Sequence, residues 1–148
     1  MSERYSVVTT GQVGIERDRV VFEYALLRVV PCLERGECVN VGVILYSQER
    51  AFLAARWDLD EDRLRALDPG VDVVGVRRAL EAVERMCRGG EEAGQAAGVR
   101  PGPRFRWLTA PRSTIVQAGP VHGGLTLDPE NEVERLLNRL VRSNIPSG

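Results

Sequence analysis

Between residues 20 and 30 the chain reads Val-Val-Phe-Glu-Tyr-Ala-Leu-Leu-Arg-Val-Val, apolar on both alternating sets of positions. Phe22, Tyr24, Leu26 and Val30 share one side with Arg28, while Val21, Ala25, Leu27 and Val29 share the other. That pattern predicts a strand covered on both faces over much of its length. Pro31 ends it, and the charged connector from Cys32 to Cys38, with Gly36 inside it, has the make-up of a broad hairpin loop. Residues 39–46 predict a second strand, with Val39, Val41, Val43 and Leu45 on one side and Asn40, Gly42, Ile44 and Tyr46 on the other. A polar turn over residues 47–50 leads to a third strand at 51–57. Two short connections in succession predict an antiparallel meander.

The pattern then changes to helical spacing. Asp58 or Asp60 can cap a short helix through Leu67, stopped by Asp68-Pro69-Gly70. Asp72 can cap a longer one over residues 73–88, in which Val73, Val76, Leu80, Val83 and Cys87 form the apolar stripe and Gly89-Gly90 the stop. Residues 91–103 are small, polar and glycine-rich, as expected of a mobile loop, and residues 104–124 read as irregular. The last helix is the clearest: Asp128 at the N-cap, Pro129 in the first turn, Glu130 and Glu132 favouring the dipole, and a stripe of Val133, Leu136, Leu137, Leu140 and Val141. The fold class expected is α+β: an antiparallel β-meander packed with two to four helices in a single compact domain. Its expected extent is residues 20–142, with an extension or flexible tail at 1–19 and a C-terminal tail at 143–148.

Length and charge narrow the function classes. A chain of 148 residues can bury one core without disulfide or metal staples. A formal charge of −1 supplies no field for nucleic acid or an anionic membrane. No apolar run reaches the roughly 18 residues of a membrane span, and the first residues lack a signal-peptide pattern, so a cytoplasmic location is the expectation. All 20 basic residues are arginine. Without lysine, Schiff-base catalysis and the phosphate lysines of Walker-type and kinase sites are excluded. Arginine remains as a fixed cation that grips carboxylate or phosphate in fork geometry. Three cysteines make no disulfide framework, and Cys32 and Cys38 would need His122 and a distant carboxylate to hold zinc. No metal and no cofactor is expected.

Two segments carry polar residues where packing does not ask for them. The first is Arg28 with the loop residues Glu34, Arg35 and Glu37, and Asn40; an internal arginine–carboxylate pair fixing the hairpin is the plainer explanation. The second gathers Arg112, Ser113, Thr114, Gln117 and His122, the chain's one histidine. An arginine fork with hydroxyls suits an anion, although a proline-bracketed loop also uses such hydroxyls to satisfy its own backbone. Cys–His and Ser–His nucleophile readings lack any local signature.

The run Phe22-Glu23-Tyr24-Ala25-Leu26-Leu27-Arg28-Val29-Val30-Pro31, leading into Glu34-Arg35-Gly36-Glu37-Cys38-Val39-Asn40-Val41-Gly42-Val43-Ile44-Leu45-Tyr46, is distinctive. So is Trp107-Leu108-Thr109-Ala110-Pro111-Arg112-Ser113-Thr114-Ile115-Val116-Gln117 with Pro120-Val121-His122-Gly123-Gly124. Together they resemble the bacterial family catalogued as domain of unknown function 3037, over roughly residues 22–141. The resemblance carries no established activity. Its members often lie beside genes for HipA-like kinases, which implies such a kinase as a partner. The two polar segments coincide with the family's two motif blocks, so they are expected to meet in space.

The reading favoured on sequence is an accessory or binding module, partner of a HipA-like kinase or another protein, with an anion-recognition site around Arg112. One alternative is a small enzyme on a phosphorylated or carboxylated molecule, with Arg112 holding the anion, Glu34 or Glu37 as base and His122 as acid. The other is a structural or homo-oligomeric scaffold without ligand.

Overall fold

The computed structural model describes residues 18–90 and 98–142; residues 1–17 of the expected tail 1–19, the expected tail 143–148, and residues 91–97 of the expected loop 91–103 lie outside the described residues. Strands β1 (Val20–Val29), β2 (Val39–Ser47) and β3 (Phe52–Trp57) form the antiparallel meander. Helices α1 (Glu61–Leu67), α2 (Val73–Arg88) and α3 (Pro101–Leu108) follow, then β4 (Val116–Ala118), β5 (His122–Thr126) and α4 (Pro129–Leu137), which ends in a π-helical turn, Asn138–Arg142. The sheet has five strands in the order β3-β2-β1-β4, with β5 also on β1. Every pairing is antiparallel. The protein is therefore a single α+β domain.

Both faces of the sheet are covered, which is why β1 is apolar on both. On one face Ala25, Leu27, Val29, Ile44 and Ala55 pack against Leu64 of α1, Val76 and Leu80 of α2, and Phe105 of α3. On the other, Phe22, Val43 and Leu45 pack against Val133, Leu136, Leu137 and Val141. The caps form as the sequence suggests: Asp60, Asp72 and Asp128 accept from the backbone amides of Arg63, Gly75 and Glu130.

Two features depart from the sequence pattern. Strand β2 does not alternate cleanly, because the register with β1 shifts between Leu27 and Arg28: Leu27 lies opposite Gly42 and Arg28 opposite Asn40. Val41 is the extra residue of a β-bulge. Beyond it the faces exchange, so Val41 and Ile44 join one core while Val43 and Leu45 join the other. The stretch expected to be irregular holds α3, β4 and β5. Pro101 and Pro103 mark the first turn of α3, where proline costs no intrahelical hydrogen bond.

Candidate functional site

Strand β1 has two neighbours on its outer side because its partner is broken. β4 pairs with its second half, Leu27 opposite Ala118 and Val29 opposite Val116. β5 pairs with its first half, Val20 opposite Thr126 through Tyr24 opposite His122. Gly119 bridges the break by donating its amide to the Leu26 carbonyl, 2.8 Å, and Val30 donates to Ile115, 2.7 Å. The two polar segments are thus joined by backbone hydrogen bonds.

The registers place Arg28 between Asn40 on β2 and Gln117 on β4, a polar row across three strands. Adjacent strands lie about 4.8 Å apart, which sets the backbone spacing of the row, while the side-chain amides of Asn40 and Gln117 are directed to the carbonyls of Leu140 and Thr114. The row lies at the end of the sheet face that α4 covers. Asn40 makes a long contact from its amide nitrogen to the Leu140 carbonyl of the π-helical turn, 3.5 Å. Four residues back along β1, Tyr24 stands beside His122 with ring centroids 5.3 Å apart, tilted by 36°. His122 itself is exposed.

Side chains of β1 lean over this broken edge, and glycines make room for them. A Cβ at Gly119 would lie 2.8 Å from Cζ of Arg28, and one at Gly124 would lie 2.8 Å from Cζ of Phe22. The Arg28 guanidinium therefore rests against the Gly119 backbone. It is half-buried, its Nε is buried without a hydrogen-bond partner, and among the described residues no carboxylate lies within ion-pair reach. Other half-buried or buried arginines are engaged. Arg56 pairs with Glu130, Arg77 with Glu61, and Arg104 donates to the carbonyls of Met86, Cys87 and Val99.

The remaining candidates are placed elsewhere. Arg112 donates to the Trp107 carbonyl at the end of α3, and its guanidinium carbon lies 5.4 Å from the Trp107 ring centroid. It borders a mostly apolar cavity of about 270 Å³ with Leu27, Met86 and Ile115, on the sheet face opposite Arg28. Ser113 is exposed. Thr114 donates its hydroxyl to the Val116 carbonyl, 2.7 Å, and Gln117 donates its side-chain amide to the Thr114 carbonyl, 2.8 Å. Those two residues fasten their own loop. Glu34, Arg35 and Glu37 are exposed at the β1–β2 turn, Arg35 pairing with Glu37 at 2.9 Å. Cys32 and Cys38 are free and exposed in the same turn, and among the described residues no group of three potential metal ligands comes together.

Sequence reasoning did not single out Tyr24 or Gly119. Tyr24 had a signal, four residues before Arg28 on the same strand face. Gly119 had none, since its importance comes from a side chain on another strand.

Fold and site define a small α+β domain with helices on both sheet faces and a polar row across β2, β1 and β4. The chain belongs to the family described as Protein of unknown function (DUF3037), whose model matches residues 24–141. No curated protein and no solved structure matches it. Among the described residues no helix is long and apolar enough to cross a membrane.

Proposed function

We propose that this domain is a binding module that recognises an anionic group on a protein partner, and that Arg28 rather than Arg112 is the centre of recognition. The observation that carries this reading is the state of Arg28. A guanidinium drawn out of water without a partner is costly, by several kcal/mol when burial is complete. Arg28 carries part of that cost, with a buried Nε that bonds to nothing. A phosphate or carboxylate arriving over Gly119 would take two parallel hydrogen bonds from the fork, the geometry that makes such pairs strong. Asn40 lies opposite Arg28 on the neighbouring strand β2. Arg112, by contrast, is exposed to water, with one donor on the Trp107 carbonyl and its guanidinium near the Trp107 ring.

The partner best supported by family resemblance is a HipA-like kinase, or the phosphorylated substrate of one. Co-expression with a HipA-like kinase tests it: wild type forms a complex that Arg28→Gln loses. Titration with inorganic phosphate, followed by amide NMR, tests the site. The expected result is a saturable shift centred on Gly119 and the Asn40 and Gln117 side chains, absent in Arg28→Gln. Gly119→Ala tests it without removing the charge, because the new Cβ displaces the guanidinium; it should weaken phosphate binding at least tenfold. Shifts scattered over all exposed arginines, unchanged by either variant, would sink the proposal.

A further inference from the structure

We infer that the outer edge of β5 is a self-association surface that pairs with the same strand of a second copy of this chain. Exposed strand edges present unpaired backbone donors and acceptors, and proteins normally blunt them with charge, covering elements or closure. The opposite edge of this sheet follows that rule. There β3 is flanked by ion pairs, Arg56 with Glu130 at 2.6 Å and, just beyond the strand, Arg142 with Asp58 at 2.8 Å.

The β5 edge lacks that protection. From Gly119 to Leu127 the chain holds no Asp, Glu, Lys or Arg, although charged residues make up 28% of the sequence. Among the described residues, no strand pairs with its outer side. It also carries apolar side chains in water: Val121 is 39% exposed, Leu125 57% and Leu127 47%. Leu125 stands on β5, with Val121 and Leu127 just outside its two ends, and the register adds Val21, 56% exposed, directly beside Leu125. Leu125 and Val21 form an exposed apolar pair bordered by the Glu23–Arg106 ion pair, and exposed apolar side chains grouped at an unpaired strand mark an interaction surface.

The spacing of the patch fits a second copy. A two-fold axis through Gly124 makes an antiparallel pair in which Val121 faces Leu127 of the other copy. Leu125 then faces Gly123 of the other copy, where no side chain stands in the way. The apolar positions match themselves, as an isologous contact requires. An uncharged strand also brings no like charge against its own image. The result is one continuous sheet running through both copies, with the two apolar patches merged on one side. Arg28 lies on the other sheet face, so the contact leaves the proposed anion site open in each copy.

Sedimentation equilibrium from micromolar to millimolar concentration tests this. The wild-type mass should rise from 16.4 kDa toward twice that value. Leu125→Arg should remain at the monomer mass throughout. Its side chain is mostly solvent-exposed in the monomer, so its circular dichroism and thermal midpoint should match wild type. Arg28→Gln should associate like wild type, which separates this inference from the proposed anion site. A wild-type chain that stays monomeric, even if it binds strands of other proteins, overturns the inference. So does Leu125→Arg self-associating as strongly as wild type.

Discussion

Replacing Gly89 with alanine perturbs two things whose sizes can be worked out separately. Gly89 closes α2 at φ +74° and ψ −159°, a region of backbone space occupied essentially only by glycine. Forcing an alanine there costs roughly 1–3 kcal/mol. The new Cβ would also lie 2.9 Å from Nη1 of Arg104 and 3.1 Å from its Cζ and Nη2. Arg104 is 7% exposed and has no carboxylate partner among the described residues. Its charge is held by the Met86 and Cys87 carbonyls at the C-terminal end of α2, where the helix dipole favours a cation, and by Val99. Loosening a hydrogen bond from a charged donor costs a further 1.5–3 kcal/mol or so. Together these come to about 4 kcal/mol, which in a domain of this size lowers the thermal midpoint by roughly 10 °C. Gly90→Ala is the control. Gly90 has φ +64° but nothing within 4 Å of its added Cβ, so only the backbone cost of about 1–2 kcal/mol remains. Thermal melts followed by circular dichroism decide the matter. Equal losses in the two variants would refute the role given to Arg104 as the clamp on this helix end.

Two further predictions follow from the same kind of reasoning. Ala51 closes the β2–β3 turn at φ +49°, left-handed backbone that an alanine adopts at a cost, so Ala51→Gly should stabilise the fold by up to about 1 kcal/mol in a denaturant titration. A loss of stability would show that the turn is not strained. Cys87 is buried, and that burial pushes its thiol from 9.0 up to about 12. Folded protein at neutral pH should therefore expose only Cys32 and Cys38 to a thiol reagent, with Cys87 reacting only on unfolding. Above pH 9 the unfolded chain gives up this proton while the folded chain keeps it. Stability should consequently fall by about 1.4 kcal/mol per pH unit between pH 9 and 12, beyond any fall shown by Cys87→Ala. Parallel profiles for the two proteins would remove Cys87 from that account.

Much of this fold is written in local chemistry. Asp60, Asp72 and Asp128 announce their helices because an N-cap is decided by a side chain and the amides two or three residues on. The doubly apolar β1 announces a covered strand. What was not legible depends on distant partners. Nothing in Val39-Asn40-Val41-Gly42 reveals that Val41 is the extra residue of a bulge, because the register is set by β1 and by the helices on either face. Pro101-Gly102-Pro103 looks like a loop and is the first turn of a helix, since proline breaks helices only beyond that turn. Strands β4 and β5 are three and five residues long and depend on pairing with β1. The site divides in the same way. Arg28 and Asn40 stand out as polar residues in apolar strands, whereas Gln117 belongs to a stretch whose sequence reads as irregular. That Arg28 has no partner among the described residues, while Arg112 does, follows only from the fold.

The measurement that tests the central claim most directly is the effect of inorganic phosphate on thermal stability, compared between wild type and Arg28→Met. Without phosphate, replacing an unpaired, half-buried guanidinium by an apolar chain should leave stability unchanged or raise it by roughly 1–2 kcal/mol. With phosphate at ten times its dissociation constant, wild type should gain about 1.4 kcal/mol, or roughly 3–5 °C. The variant should gain only the small general stabilisation that phosphate gives any folded protein. A variant that melts well below wild type yet gains as much from phosphate would contradict the account, and would make Arg28 a structural residue.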